Sequence, residues 1–323
     1  MSSTRTMPLL LGTFLVGAPG TNRFTDTAEI QRWVDTMVQH GHPSIDTARV
    51  YGDGTAEEIL SKLDLHGARV DTKLCPLAPG DHAPEKLKET FNLCLAALGP
   101  NIKIRVLYLH LPDRSVPFEL TLEAVNDLYE QGHFEEFGLS NFMSWEVAEV
   151  VGICKRRGFV LPTVYQGAYN MISRAPEAEL FPCLRKHGLK FAAYAVLAGG
   201  LLTGKLLDNA QPAPGSHFDP NWSWGHQYVS WFGHASQAQA IKNLKNVAEK
   251  HGLQLTDVAY RWLVHHSAMQ ADDHGIIVGG SNLGQIETAI EACGQGPLPD
   301  EVLAACEETW SELKATASHQ YWF

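Results

Sequence analysis

The sequence predicts an α/β fold: a (β/α)8 TIM barrel with a long loop after the seventh strand and extra C-terminal helices. Three observations predict it. From Leu9 onward, eight short apolar runs alternate with stretches of helical period, and such alternation implies a parallel sheet whose eight units close on themselves. An open doubly wound sheet would want a G-x-G-x-x-G turn after its first strand, and Gly12 to Gly20 does not supply one. The chain has 323 residues, enough for a barrel of roughly 250 with insertions. No linker, further repeat or low-complexity tract divides it, so 1–323 reads as a single domain.

Each element has its own warrant. Leu9–Thr13 is the first strand. Ile30, Trp33, Val34, Met37 and Val38 then recur at the spacing of one helical face, and Gly41 stands where a left-handed C-cap residue belongs. Ser44–Ala48 is strand two, followed by a short helix from Thr55 to Leu63. Val70–Leu74 is strand three. Pro84 opens a helix with Leu87, Phe91, Cys94, Leu95 and Leu98 on one face, ended by Gly99. Val106–His110 is strand four, and Phe118, Leu122, Val125 and Tyr129 mark the helix behind it. Phe137–Asn141 is strand five, after which Ser144 is expected to cap a helix carrying Val147, Val150, Val151 and Cys154. Val164–Asn170 is strand six, with a helix over Pro176–His187. Lys190–Val196 is strand seven. Leu197 to Ala235 has no clean period and is rich in Gly, Pro and aromatics. Helices resume at Ser236–Lys250 and Thr256–His266, Ile276–Gly279 is strand eight, and helices at Leu283–Ala292 and Pro299–Lys314 close the chain.

Composition narrows the function. A formal charge of −11 argues against a nucleic-acid surface, which needs a basic stripe, and against docking on anionic lipid. Six cysteines are scattered without a C-x-x-C pair, so neither a zinc site nor a disulfide framework is indicated. Met1 to Leu11 lacks the layout of a cleavable signal, and no apolar run approaches the ~18 residues of a membrane span. The expectation is a cytoplasmic protein with reduced thiols, acting without nucleic acid or membrane.

Barrel active sites lie at the C-terminal ends of the strands. Asp46 falls inside strand two, Tyr51 in the loop after it, Lys73 near the end of strand three and His110 at the end of strand four. Each alone has an ordinary structural reading: a turn cap, a buried-pair cation, a satisfied core imidazole. Their coincidence on consecutive strand ends suits carbonyl reduction. Hydride transfer develops negative charge on the carbonyl oxygen, which needs a proton donor. A phenol with a reference pKa near ~10 is helped by a cation that stabilises phenolate. Lys73 would supply it, Asp46 would hold Lys73 charged and oriented, and His110 would hydrogen-bond the carbonyl oxygen.

Ile45-Asp46-Thr47-Ala48 with Tyr51-Gly52, the later Lys73, Leu107-Tyr108-Leu109-His110 and Gly138-Leu139-Ser140-Asn141-Phe142 resemble the aldo-keto reductase superfamily, over nearly the whole chain. The stretches 144–149, 161–167, 197–205 and 260–267 most resemble its aflatoxin-aldehyde reductase branch. The resemblance implies an NAD(P)H-dependent aldehyde reductase with Tyr51 as general acid, Lys73 and Asp46 as tuners, and His110 at the substrate carbonyl. It implies NADPH as the cofactor, with NADH as the less favoured form. Asp46, Ser140, Asn141 and Gln166 would meet the nicotinamide amide and Tyr194 would stack on its ring. Leu197, Gly199, Gly200, Leu201, Gly204 and Lys205 would approach the pyrophosphate, and Ser281 and Gln285 the adenosine phosphate at a helix N-terminus. Gly199-x4-Gly204-Lys205 mimics a P-loop, but Leu206 replaces the magnesium-binding Ser or Thr. Thr288 and Ala289 stand where relatives have adenine-bonding residues, and Ser216 where they have an arginine for the 2′-phosphate, so a weaker grip on the adenosine end is expected.

At the substrate end the resemblance implies Val50, Tyr51, His110, Tyr228 and Trp231. The aromatics of 222–232 are expected either to wall the substrate or to pack on the barrel. Trp231 replaces an arginine that binds acidic substrates in the branch, and Tyr321-Trp322-Phe323 lacks the relatives' closing arginine. Small dicarboxylic semialdehydes are therefore disfavoured, and a neutral aromatic or hydrophobic aldehyde or ketone is expected, taken by a monomer or homodimer. His265-His266 with Asp272-Asp273-His274 has no accepted metal-ligand spacing and joins a helix to strand eight on the opposite face, so it reads as a solvated loop. Asn221-Trp222-Ser223 matches a glycosylation acceptor that a cytoplasmic protein leaves idle. Two competing readings remain: a cofactor-binding regulatory barrel like the channel β subunits of the superfamily, and a non-redox barrel enzyme of a biosynthetic pathway.

Overall fold

The computed structural model describes residues 6–207, 217–219, 225–233, 235–315 and 321–322. Ser216 and the Trp222–Trp224 segment, with its acceptor motif, lie outside the described residues, as does Phe323.

Eight parallel strands close into a barrel in sequence order: β1 Leu9–Gly12, β2 Ser44–Asp46, β3 Arg69–Leu74, β4 Ile104–Leu109, β5 Phe134–Ser140, β6 Pro162–Ala168, β7 Lys190–Tyr194 and β8 Gly275–Val278. β8 pairs with β1, with Leu10 opposite Ile277. Their near-continuous apolar character follows from burial on both faces. Val106, Tyr108, Val164 and Ala192 pack inside the barrel with Ile277 against them. Tyr108 is registered opposite Gly138, and a Cβ there would collide with its ring; the glycine makes room for the phenol.

Helices cover the outside along apolar stripes, as in Thr27–Gln39, where Ile30, Trp33, Val34 and Met37 are buried. Gly41, Gly99, Gly132, Gly158 and Gly188 all have positive φ at or just beyond helix ends, where a Cβ would be strained. Tyr129, expected on the apolar face of Phe118–Glu130, is exposed instead. The Ser144–Arg157 helix begins one residue earlier than expected: Met143 is the N-cap residue and its N–H donates to Glu146 at 2.7 Å. The segment expected as one helix over 176–187 is a 3₁₀ turn, Ala175–Glu177, and a shorter helix, Leu180–His187. Within the stretch without a clean period lies a helix, Gly225–Phe232. Its Tyr228, Trp231 and Phe232 stand at i, i+3 and i+4, a stripe too short to register as a period.

The N-terminal mouth of the barrel is closed by charge. Asp71 takes hydrogen bonds from Arg105 Nε at 2.6 Å and from Arg105 Nη2, and His274 Nε2 lies 2.8 Å from the same carboxylate. Asp273 accepts both Arg185 Nη atoms and the Phe191 N–H. The His274 neighbourhood is thus a buried plug, not the solvated loop expected, because the barrel floor needs counter-charges for Arg105 and Arg185. Among the described residues no helix is long and apolar enough to cross a membrane.

Candidate active site

At the opposite mouth, the strand ends and the loops after them surround a cavity of about 740 Å³, within the range of small-molecule sites. Lys73 lies fully buried beneath it. Its Nζ donates to Asp46 Oδ1 at 2.6 Å, to the Thr47 carbonyl at 2.7 Å and, more distantly, to Tyr51 Oη at 3.4 Å. Gln166 Nε2 holds the other Asp46 oxygen at 2.7 Å. Tyr51 sits on a turn in which Gly52, Asp53 and Gly54 all have positive φ, and its ring meets His110 edge-on, centroids 5.8 Å apart. Tyr51, His110, Asp46 and Gln166 face the cavity. Four side chains from three strand ends and one turn therefore converge.

Burial decides their ionisation. It pushes the Tyr51 phenol well above its ordinary value, with the Asp46 charge acting in the same direction. The expectation that Lys73 makes this phenol easy to ionise is thus corrected. The ammonium is held mainly by Asp46, so desolvation of the phenolate wins, and Tyr51 keeps its proton. Burial also raises Asp46, against the opposing pull of Lys73 and the Gln166 bond. His110 is driven well below its usual range, first by burial and then by the Lys73 charge, so its ring is neutral. Its Nδ1 is buried with no hydrogen-bond partner.

Along one flank, Asn141 (φ 62°) donates from Nδ2 to the His110 carbonyl at 2.9 Å and accepts the Tyr194 hydroxyl at 2.8 Å. Asn141, Tyr194, Leu197, Gly199, Gly200 and Lys205 line the cavity. Ser140 does not: it is fully buried and its oxygen accepts from Asn141 Nδ2. Leu201 points into the core, and Gly204 caps the 3₁₀ turn Ala198–Thr203 against Leu255. The N–H groups of Gly200 and Gly204 bond back to Leu197 and Leu201, so they are not free for a ligand as expected. Gly199 is required, because φ is +67° and a Cβ would lie 2.6 Å from the Tyr228 ring.

Beyond β8, Gly279, Gly280, Ser281, Asn282 and Gln285 line the cavity at the N-terminus of helix Leu283–Gly294. Asn282 caps that helix by accepting the Gln285 N–H, and Gln285 Oε1 accepts the Ser281 N–H at 2.7 Å. A helix N-terminus favours an anion. Thr288 spends its hydroxyl on the Gly284 carbonyl, and Ala289 is buried. At the other end Val50, Tyr228 and Trp231 line the cavity together with Phe14, Cys75, Leu111 and His217, which the sequence reading missed. Phe14 packs edge-on against Tyr51 at 5.0 Å, and His217 lies between Phe14 and Tyr228. Arg23 also faces the cavity. These residues come from loops without periodicity, after β1, β3, β4 and β7; the one available signal is that each loop follows a strand at the mouth.

The comparison with known proteins agrees with this geometry. The aldo/keto reductase family model matches residues 8–311. The chain belongs to the aldo/keto reductase family. It is similar to an aldo-keto reductase of Pseudocercospora fijiensis, 39% identical over 88% of this chain and 98% of that protein. It is 38% identical to aldo-keto reductase family 7 member A3 of Homo sapiens, over 92% of this chain and 93% of the relative. It is likewise 38% identical to aflatoxin B1 aldehyde reductase member 2 of Mus musculus, over 94% of this chain and 84% of the relative. As an aldo/keto reductase, the chain is an NAD(P)H-dependent oxidoreductase that reduces carbonyl groups. Its cavity fits a nicotinamide dinucleotide: an anion-favouring helix N-terminus at one end, the half-buried Tyr194 ring and Asn141 and Gln166 amides in the middle, and cationic Lys205 and Arg23 on the walls.

Proposed function

We propose that the chain reduces a neutral aromatic or hydrophobic aldehyde or ketone to the alcohol, with NADPH as reductant and Tyr51 as proton donor. The observation that carries this reading is the convergence of Tyr51 Oη, neutral His110 and the buried Lys73–Asp46 pair on one cavity wall. When bound, the dinucleotide supplies the hydride. The chain's own part is to hold the carbonyl oxygen and protonate it. Neutral His110 donates one hydrogen bond that orients the oxygen. Tyr51 passes its proton to that oxygen as negative charge builds, and Lys73, within 3.4 Å of Oη, stabilises the phenolate left behind. Asp46 keeps Lys73 in place and Gln166 keeps Asp46 in place.

Asn141, Gln166 and Tyr194 would hold the nicotinamide end, and Gly199, Lys205, Ser281 and Gln285 the phosphates. Preference for NADPH over NADH rests on Lys205 and the helix N-terminus, since Thr288 spends its hydroxyl on the Gly284 carbonyl and Ala289 is buried. The neutral substrate class follows from the wall of Phe14, Tyr228 and Trp231, and relatives named for aflatoxin B1 aldehyde point to the same class. A single family match spanning 8–311 supports one catalytic unit.

The test follows NADPH absorbance with nitrobenzaldehyde and with succinic semialdehyde, using the parent chain and Tyr51→Phe. Turnover of the aromatic aldehyde that falls about 10²- to 10⁴-fold in Tyr51→Phe, with cofactor still bound, supports the reading. Strong preference for the acid would overturn the substrate class, and an undiminished Tyr51→Phe the mechanism.

A further inference from the structure

Tyr51 does not sit on a strand. It hangs from a turn whose next three residues have positive φ, so no sheet ladder holds its backbone. Something else must. On one side of the turn, the Arg49 N–H donates to the Lys73 carbonyl at 3.1 Å. The Arg49 guanidinium then reaches under the turn to Glu57 Oε2 at 2.8 Å. Glu57 is fully buried. Its other oxygen accepts the Thr72 hydroxyl at 2.6 Å and the Cys94 thiol at 2.9 Å. One carboxylate thereby ties the Tyr51 turn, the residue before Lys73 on β3, and helix Pro84–Leu98. Gly54 is left-handed at φ +87°, and a Cβ there would strike the guanidinium, so the turn is moulded over Arg49. On the other side, Thr55 Oγ1 donates to the Gly52 carbonyl and accepts the Ala18 N–H at 2.8 Å.

We propose that the buried Arg49–Glu57 pair is a positioning device for Tyr51, fixing the turn against β3 so that the hydroxyl stays within reach of Lys73. The proposal rests on the reading of Tyr51 as proton donor. Buried ion pairs are poor stabilisers, since apolar residues of similar volume often replace them at no cost. What the pair adds here is direction: it couples the neighbour of one reacting side chain to the neighbour of another. Neither Arg49 nor Glu57 lines the cavity.

The test separates positioning from stability with Arg49→Met/Glu57→Met, which removes both charges and leaves none buried alone. The double variant is expected to melt close to the parent, bind NADPH with unchanged Kd, keep KM within about threefold, and lose about 100-fold in kcat, the scale of a misplaced reacting group. Arg49→Lys, which keeps the charge, should recover part of the loss. Thr72→Val, which removes one tie to Glu57 and no charge, should lower kcat severalfold and serves if the double variant does not fold. A second readout needs no turnover. Tyr51 phenolate absorbance, taken as the difference between each form and its Tyr51→Phe counterpart, is expected to be absent in the parent up to high pH. It should appear near the ordinary tyrosine range in the double variant, because a loosened turn exposes the phenol to water. Double-variant kcat within threefold of the parent, or an unchanged phenolate titration, would overturn the proposal. A parent without reductase activity would sink the functional reading instead, leaving the titration to decide on the clamp.

Discussion

Gln166, at the heart of β6, donates to Asp46 on β2 at 2.7 Å, across the barrel from the 2.6 Å bond that the same carboxylate makes with Lys73. Asp46 is thus held from both sides. Removing either partner of the Lys73–Asp46 pair strands the other charge. Lys73→Met and Asp46→Asn are each expected to cost about 3–5 kcal/mol, and the Lys73→Met/Asp46→Asn double variant less than their sum, since it leaves no charge buried alone. Urea midpoints of the three variants check this; additive losses would contradict it.

Acid should weaken the fold before carboxylates begin to titrate. Burial lowers His82 to about 4, and burial with the Lys73 charge holds His110 well below its usual range, against about 6.5 in the unfolded chain. Below that value the unfolded chain binds protons that the native chain does not, so stability is complete above pH 6.5 and declines as pH falls towards 4. Each such histidine contributes a slope of about 1.4 kcal/mol per pH unit. Denaturant titrations at pH 7, 6 and 5 should show the decline, and His82→Leu should flatten it by about one proton. A level profile across that range would refute the assignment.

Gly199 carries the cavity wall where Tyr228 comes closest. Gly199→Val combines a left-handed backbone penalty of about 1–2 kcal/mol with a collision against the Tyr228 ring. Both cofactor affinity and substrate KM are expected to worsen by tenfold or more. Fluorescence quenching on NADPH addition measures the first; an unchanged Kd would show that the glycine is dispensable.

Trp231 is half-buried on the cavity wall, its ring edge-on to Tyr228 at 5.9 Å. Exchanging it for arginine puts a cation where the parent has an apolar face. The ratio of kcat/KM for succinic semialdehyde to that for nitrobenzaldehyde should rise at least tenfold, equivalent to about 1.4 kcal/mol. A ratio that stays put would place substrate selection elsewhere on the wall.

The barrel and the four converging side chains were readable because both leave strong local marks. Strands buried on both faces appear as short apolar runs, helices stop at glycines such as Gly99 and Gly188, and Asp46, Lys73 and His110 each stand at or next to a strand end. What escaped depends on relationships between distant segments. The direction of the Tyr51 shift is set by burial, which no spacing reveals. Phe14 and His217 reach the cavity from loops with no period to follow. Ser140 and Gly204 belong to matching motifs, yet their side chain or backbone N–H is already engaged. Glu57 carries no local mark of burial in the sequence, and only the fold brings Thr72 and Cys94 onto it.

The plug of Asp71, Arg105 and His274 occupies the floor of the same strands whose far ends carry the chemistry; Asp71 and Lys73 are two positions apart on β3. Durability and reactivity are thereby assigned to opposite poles of one scaffold. Directed evolution for heat tolerance can work on the floor, and retuning of substrate choice on the rim, with Asp71 left in place because its charge also acts on Asp46.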